Sequence, residues 1–425
     1  MVGTGVFTSL GFQVIGIKSI FALLFLWLTG GLIALCGALT YGELAVRLPR
    51  SGGEYNYLSR IYHPALGFLS GWVSATVGFA APMAIAAISF GKYFSKVIPA
   101  ANELQLAAGL IIFLSLVNIS SFKFGSSFQT FFTILNILLI ITITIAGIEL
   151  ANHSHFKFST TGKDFSDIAS ISFATSLVYV SYAYSGWNSA TYIAGEINKP
   201  SINLPKALFL GSFIVTLLYI SLNFVFLYAV PIQSLAEKLE VADVAAMAIL
   251  GTEGAIIINT VISIGLIASV NSMMIAGPRV TKIIGEDFPF FNFLAKTNNQ
   301  GSPILAITWQ AFIALLLIFT SKFEEVLAYI GLTLSLFTTL TVAGIFVLRY
   351  KDKKYNQQHS GYKTWGYPIT PIVFICLELW MIYNICSNRD QLKTSLLGLV
   401  TVLSGLIVYI IIRSNQKVTT KNESV

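Results

Sequence analysis

The chain has 425 residues, of which 55% are hydrophobic and only 11% charged; its mean hydropathy is +0.76 and its formal net charge +7. So few charges cannot cover a water-soluble body of this size, and most side chains must face lipid or one another. This excludes an ordinary cytoplasmic enzyme, a disordered chain and a secreted disulfide scaffold, and leaves a polytopic membrane protein.

The first segment, Met1 to Ile17, is apolar but begins abruptly with Met1-Val2-Gly3-Thr4-Gly5-Val6-Phe7. It has neither the basic start nor the cleavage site of a signal peptide. It reads as the second half of a broken helix, so an apolar half-helix preceded by basic residues is expected upstream. Apolar runs able to cross a bilayer need about 20 residues each. They fall at 20–46, 65–91, 104–121, 127–149, 168–196, 205–230, 254–284, 304–320, 326–349, 367–387 and 393–413. Strands of an outer-membrane barrel would be about 10 residues long with alternating polarity, which these runs are not. The class is therefore all-α. Most prolines sit at span edges, but Pro82 lies mid-span and predicts a kink.

Lysine and arginine set the expected orientation. With the segment between the runs 20–46 and 65–91 placed in the cytoplasm, most of the 26 basic residues fall on the inner side. Among them are Arg47, Arg50, Arg60, Arg279, Arg349, Lys351, Lys353 and Lys354. The outer loop 231–253 is acidic, with Glu237, Glu240, Asp243 and Glu253. The bias explains the net charge without a nucleic-acid partner. It puts the C-terminus in the cytoplasm, ending in a short polar tail, 414–425, expected to be disordered, while the lack of an organellar presequence favours a plasma membrane or bacterial inner membrane.

Residues for intramembrane catalysis are missing from the sequence. His63, His153, His155 and His359 all fall in loops, and the pair His153 and His155 reads as solvated rather than metal-binding. Cys36, Cys376 and Cys386 lack metal or redox spacing, and no Walker A motif is present. The intramembrane acids are Glu43 and Glu378, which are not clustered. No enzyme, metal or cofactor is expected.

Two segments interrupt helical character inside apolar runs: Gly3-Thr4-Gly5, and Ser185-Gly186-Trp187-Asn188 after Tyr179 to Tyr184. Unwound backbone at membrane depth is tolerated only where it lines a protein cavity. Its free N–H groups suit a carboxylate and its free C=O groups suit an ammonium, so the two breaks together could hold a zwitterion. Either break alone could be close helix packing through small residues. One lies in the first span and the other in the sixth, and interruptions at corresponding positions of two five-helix halves point to an inverted-repeat transporter.

These stretches, with several connectors, resemble the amino acid–polyamine–organocation superfamily and, within it, the L-type amino acid transporter-like permeases. The resemblance is carried by Gly3-Thr4-Gly5-Val6-Phe7, by Leu48-Pro49-Arg50-Ser51-Gly52-Gly53-Glu54-Tyr55 and by Tyr182 to Asn188. Glu196 to Pro205 and Ser269-Val270-Asn271-Ser272 through Arg279 extend it over most of the chain. It implies a LeuT-type fold in one transmembrane domain, 1–413. The inverted repeats would be 1–149 and 168–349, with two further helices over 367–413. It also implies that backbone at Gly3, Thr4 and Gly5 meets a substrate carboxylate. The carbonyls of Met1, Thr4, Tyr182, Ala183 and Ser185 would meet its amine. The Tyr182 ring would act as a gate, and Asn188 would line the pocket.

Many relatives carry a lysine in the fifth span where this chain has Asn136, at the end of Gln129-Thr130-Phe131-Phe132-Thr133-Ile134-Leu135-Asn136. That puts proton coupling through this position in doubt. Asn136 with Ser269, Asn271 and Ser272 could offer oxygen ligands to a sodium ion, or Asn136 could simply hydrogen-bond unwound backbone in an uncoupled exchanger. The expected activity is alternating-access transport of amino acids, as symport or exchange. Neutral substrates are favoured because neither Glu43 nor Glu378 is near the breaks in sequence, leaving no fixed charge to pair with a charged side chain. A polyamine or other organocation carrier and an amino acid-sensing receptor on the same fold are the alternatives.

Overall fold

In the computed structural model, residues 2–120, 122–151, 156, 158, 162–320, 323–355, 361–387 and 392–422 are described. The first helix is short and bent: α1 (Thr4–Thr8) passes through Ser9 into α2 (Leu10–Gly16). Ser19 caps the next helix, α3 (Ile20–Arg47), by accepting from the Ala22 N–H at 3.1 Å. A turn with positive φ at Gly52 and Gly53 leads into α4 (Glu54–Ile61) and then α5 (Pro64–Val73).

A π-helical turn, Ser74–Gly78, separates α5 from α6 (Ala80–Val97). Pro82 accounts for this distortion. It has no N–H to give to the carbonyl four residues back, Gly78, and its ring crowds that carbonyl. The disturbance expected at Pro82 therefore falls one turn before it.

The chain continues through α7 (Glu103–Ser120), α8 (Phe122–Leu150), α9 (Gly162–Ile168) and α10 (Ile171–Tyr184). A turn and the 3-10 segment Ser189–Glu196 follow, then α11 (Pro200–Ala229), α12 (Ile232–Leu235) and α13 (Val241–Asp287), which is interrupted at Gly251. The last helices are α14 (Asn292–Ala295), α15 (Ile304–Thr320), α16 (Phe323–Tyr355), α17 (Ile369–Ser387) and α18 (Leu392–Asn422).

Nine described helical segments are long and apolar enough to cross a membrane, and α15 is a shorter apolar one. The chain is a multi-pass integral membrane protein. Three boundaries differ from the sequence expectation. The acidic segment 231–253 is largely helical, because Ala-rich residues from Val241 onward form the first part of α13. The connector after Gly53 folds as α4. The final helix runs to Asn422 rather than ending near 413, since no glycine or proline follows Gly405 to stop it.

The first helix is held in the middle of the bundle. The Tyr93 hydroxyl donates to the Phe7 carbonyl at 2.8 Å, and the Trp27 indole donates to Gln13 Oε1 at 3.0 Å. At the end away from the basic connectors, the Glu237 N–H donates to the Gly11 carbonyl at 3.0 Å.

Candidate functional site

The two breaks meet. Gly3 is extended and gives α1 no side-chain cap, so the first N–H groups of α1 lack partners within the helix. Thr4 and Gly5 are helical, so of the Gly3-Thr4-Gly5 stretch that was expected to unwind only its first residue, Gly3, is non-helical. The second break matches its expected place: α10 ends at Tyr184, and Gly186 has φ +85°. A β-carbon on Gly5 would overlap the Ala183 backbone, so only glycine lets the start of α1 approach the end of α10 this closely. The Thr4 and Tyr182 hydroxyls share a hydrogen bond of 3.1 Å across the junction.

A positive helix end thus faces a negative one, an arrangement that suits a zwitterion. Around it lies a cavity of about 460 Å³, lined by Val2 to Gly5, by Tyr182, Ala183 and Ser185 to Asn188, and by parts of α6, α8, α13, α16 and α17. Several carbonyls expected to meet an amine already accept bonds: Thr4 from Thr8 at 2.9 Å, Tyr182 from Ser185 N–H at 2.9 Å, and Ala183 from Tyr219 at 3.3 Å. Each still has a second lone pair to offer. Met1 lies outside the described residues.

Asn188 lines the cavity, yet its amide points to the basic end of the molecule. It donates to Glu54 Oε1 at 2.5 Å and to the Tyr192 hydroxyl at 3.2 Å. Glu54 also accepts from Tyr41 at 2.8 Å. This buried carboxylate ties the connector's α4 to the unwound sixth span. Around it, Arg50 pairs with Asp287 at 2.7 Å, the Tyr55 hydroxyl donates to Asp287 at 2.6 Å, and Arg279 meets Glu196 at 2.7 Å. The bond to Asp287 holds the Arg50 guanidinium above its ordinary pKa, and burial beside the same carboxylate raises the Tyr55 hydroxyl.

The four coupling candidates separate. Asn136, Ser269 and Ser272 line the cavity. Asn136 donates to the Gly265 carbonyl of α13 at 3.3 Å, so it bonds helical rather than unwound backbone. Ser269 donates to the Val2 carbonyl at 3.2 Å and Ser272 to the Ser269 carbonyl at 2.8 Å. Asn271 does not line the cavity; it accepts from Asn118 at 2.9 Å and donates to Gln129 at 3.5 Å.

Sequence reasoning missed two residues. Tyr219 of α11 donates to the Ala183 carbonyl at 3.3 Å, next to the second break. Glu378, expected to lie away from the breaks, lines the cavity. The reason is the antiparallel docking of α17 on the sixth span. Phe374 packs on Trp187 with ring centroids 5.8 Å apart, and Ser181 donates to Met381 Sδ at 3.6 Å. Glu378, between those two levels, stands beside residues 182–185. The expectation of a cavity without an acid is therefore wrong, since distance along the chain said nothing about this contact.

Known proteins are similar in sequence to this one over nearly the whole chain. The serine/threonine exchanger SteT of Bacillus subtilis is 28% identical over 96% of this chain and 92% of its own. The large neutral amino acids transporter small subunit 2 of Homo sapiens is 28% identical over 96% of this chain and 77% of its own. The b(0,+)-type amino acid transporter 1 of Mus musculus is 26% identical over 96% and 84%. The profile of the amino acid permease family matches residues 1–412, and with the start of α1 meeting the end of α10 at a central cavity, the chain belongs to that family.

Proposed function

We propose that this protein carries amino acids, neutral ones foremost, across a membrane by alternating access. The observation that carries the reading is the junction at Gly5 and Ala183, where the ends of two broken helices offer N–H groups and carbonyls to one cavity. The small lining residues and the relatives' substrates, serine and threonine or large neutral amino acids by name, support it. The basic end, with Arg47, Arg50 and Arg349, is the cytoplasmic side by charge bias. Labelled serine or leucine entering proteoliposomes preloaded with unlabelled amino acid tests the reading. Exchange above protein-free vesicles supports it. A protein that binds but never translocates any amino acid would be a receptor instead, and transport competed by putrescine but not by amino acids would identify an organocation carrier.

Two further outcomes are expected in the same assay. Tyr182→Ala removes the ring and the hydroxyl bonded to Thr4, so uptake falls roughly tenfold or more, in line with loss of a buried hydrogen bond together with packing. A Tyr182→Ala rate equal to wild type would place the substrate elsewhere in the cavity. Exchange of sodium for choline leaves uptake unchanged, because Asn271 lies outside the cavity, bonded to Asn118 and Gln129, and the expected set of oxygen ligands is incomplete. A requirement for sodium would restore the oxygen cluster around Asn136 as a cation site.

A further inference from the structure

Glu378 has surroundings unlike those of every other acid in the described structure that pairs with a basic residue. It is 4% exposed on a membrane-spanning helix, and its Oε2 has no hydrogen-bond partner and almost no accessible surface. Ser335 of α16 is a polar neighbour of the carboxyl group and lines the same cavity. Yet the side chain lines the cavity at the level of the second break. By contrast Glu43, also fully buried, holds Arg47 and Arg349 at 2.8 and 2.6 Å.

The titratable groups on the helices packed against α17 do not supply the missing charge. On α3 they are Cys36, Tyr41, Glu43 and Arg47, the last two bound into the ion pairs at the basic end. On α10 they are Tyr179, Tyr182 and Tyr184, all neutral donors. On α16 Arg349 is bound to Glu43, Lys351 donates to the Ile61 carbonyl, Asp352 holds Arg47, and Lys353 and Lys354 are exposed in the last turns, while on α18 Tyr409 and Arg413 line a separate pocket with Arg50 and Asp287 at the basic end. The α17 helix itself adds Cys376, Tyr383 and Cys386. A carboxylate ion without a counter-charge is expensive at membrane depth. A mobile positive charge must therefore reach it. An ammonium group needs space and several acceptors, and Oε2 presents almost no surface to receive one. A proton needs only a lone pair.

We propose that Glu378 binds a proton together with each neutral amino acid, making transport proton-linked. The inference rests on the reading of the cavity as the amino acid site. A zwitterion adds no net charge, so a protonated Glu378 leaves the closed cavity neutral. The proton leaves water on the side of entry, binds a Glu378 oxygen, and returns to water when the cavity opens to the other side. No bond to the substrate is made or broken.

The test uses the full chain in proteoliposomes holding a pH-sensitive dye. Labelled serine or leucine reports amino acid movement, and the dye reports protons. With wild type, addition of the amino acid outside acidifies the lumen, one proton for each amino acid. An imposed gradient, acid on the side of the amino acid, speeds net uptake several-fold. In Glu378→Gln the proton-to-amino-acid ratio falls to nil, and whatever uptake remains is indifferent to the gradient. Amino acid movement by wild type with no proton movement overturns the inference alone. Absence of amino acid movement overturns the functional reading instead. Glu378→Gln that keeps the wild-type proton ratio also overturns the inference. Lysine uptake without protons that Glu378→Gln abolishes would show that the acid pairs with a substrate cation, again overturning it. Since the wild-type measurement stands by itself, the outcome is decided even if the variant fails to fold.

Discussion

Gly186→Leu abolishes amino acid uptake while the protein still inserts in the membrane. Gly186 has φ +85°, a region that costs a residue with a β-carbon about 1–2 kcal/mol. That cost alone would slow rather than stop transport. The larger effect is placement: Gly186 lines the cavity between Ser185 and Trp187, so a leucine side chain occupies space where substrate must sit. It also disturbs the turn that brings the Gly186 carbonyl to the Ser189 N–H at 3.1 Å. Gly186→Ala, with the strain but less bulk, gives an intermediate rate. Membrane fractionation measures insertion, and initial rates in vesicles measure transport. Wild-type uptake by Gly186→Leu would remove the sixth-span break from the substrate path.

Glu43→Ala has its largest effect on stability. The Glu43 carboxylate is fully buried and accepts from both arginines, and from the Thr364 N–H and hydroxyl at 2.8 Å each. Arg349 also lies 3.7 Å over the Tyr367 ring, and Arg47 continues to Asp352 at 2.5 Å. Removing the carboxylate leaves the mostly covered Arg349 guanidinium with no acid and Arg47 with Asp352 alone. Breaking a buried pair in this way costs about 3–5 kcal/mol, and the lower part of that range applies because Arg349 retains some exposure. The apparent melting temperature in detergent, at a fixed scan rate, falls clearly for Glu43→Ala and less for Glu43→Gln, which keeps an acceptor oxygen. An unchanged melting temperature would show that water already compensates the arginines.

The sequence by itself determined the class, the order and rough limits of the spans, and the two places where helices break. These are local matters. A run of apolar residues commits backbone to a helix because lipid offers no other hydrogen-bond partner, and Gly186 marks a break because few other residues adopt its φ. Asn188 was legible as a cavity residue, whereas its bond to Glu54 was not, for the two are 134 positions apart.

Only the tertiary structure decided which polar side chains share the cavity. Asn271 sits two residues from Ser269, but on a helix that step turns about 200°, and it points into the α7 and α8 interface instead. Glu378 lies 190 or more positions from the second break and joins it because α17 docks antiparallel to the sixth span. Helical periodicity fixes which residues of one helix share a face. Which helix that face meets depends on packing against all the others, and a single sequence holds that information only jointly, in the whole bundle.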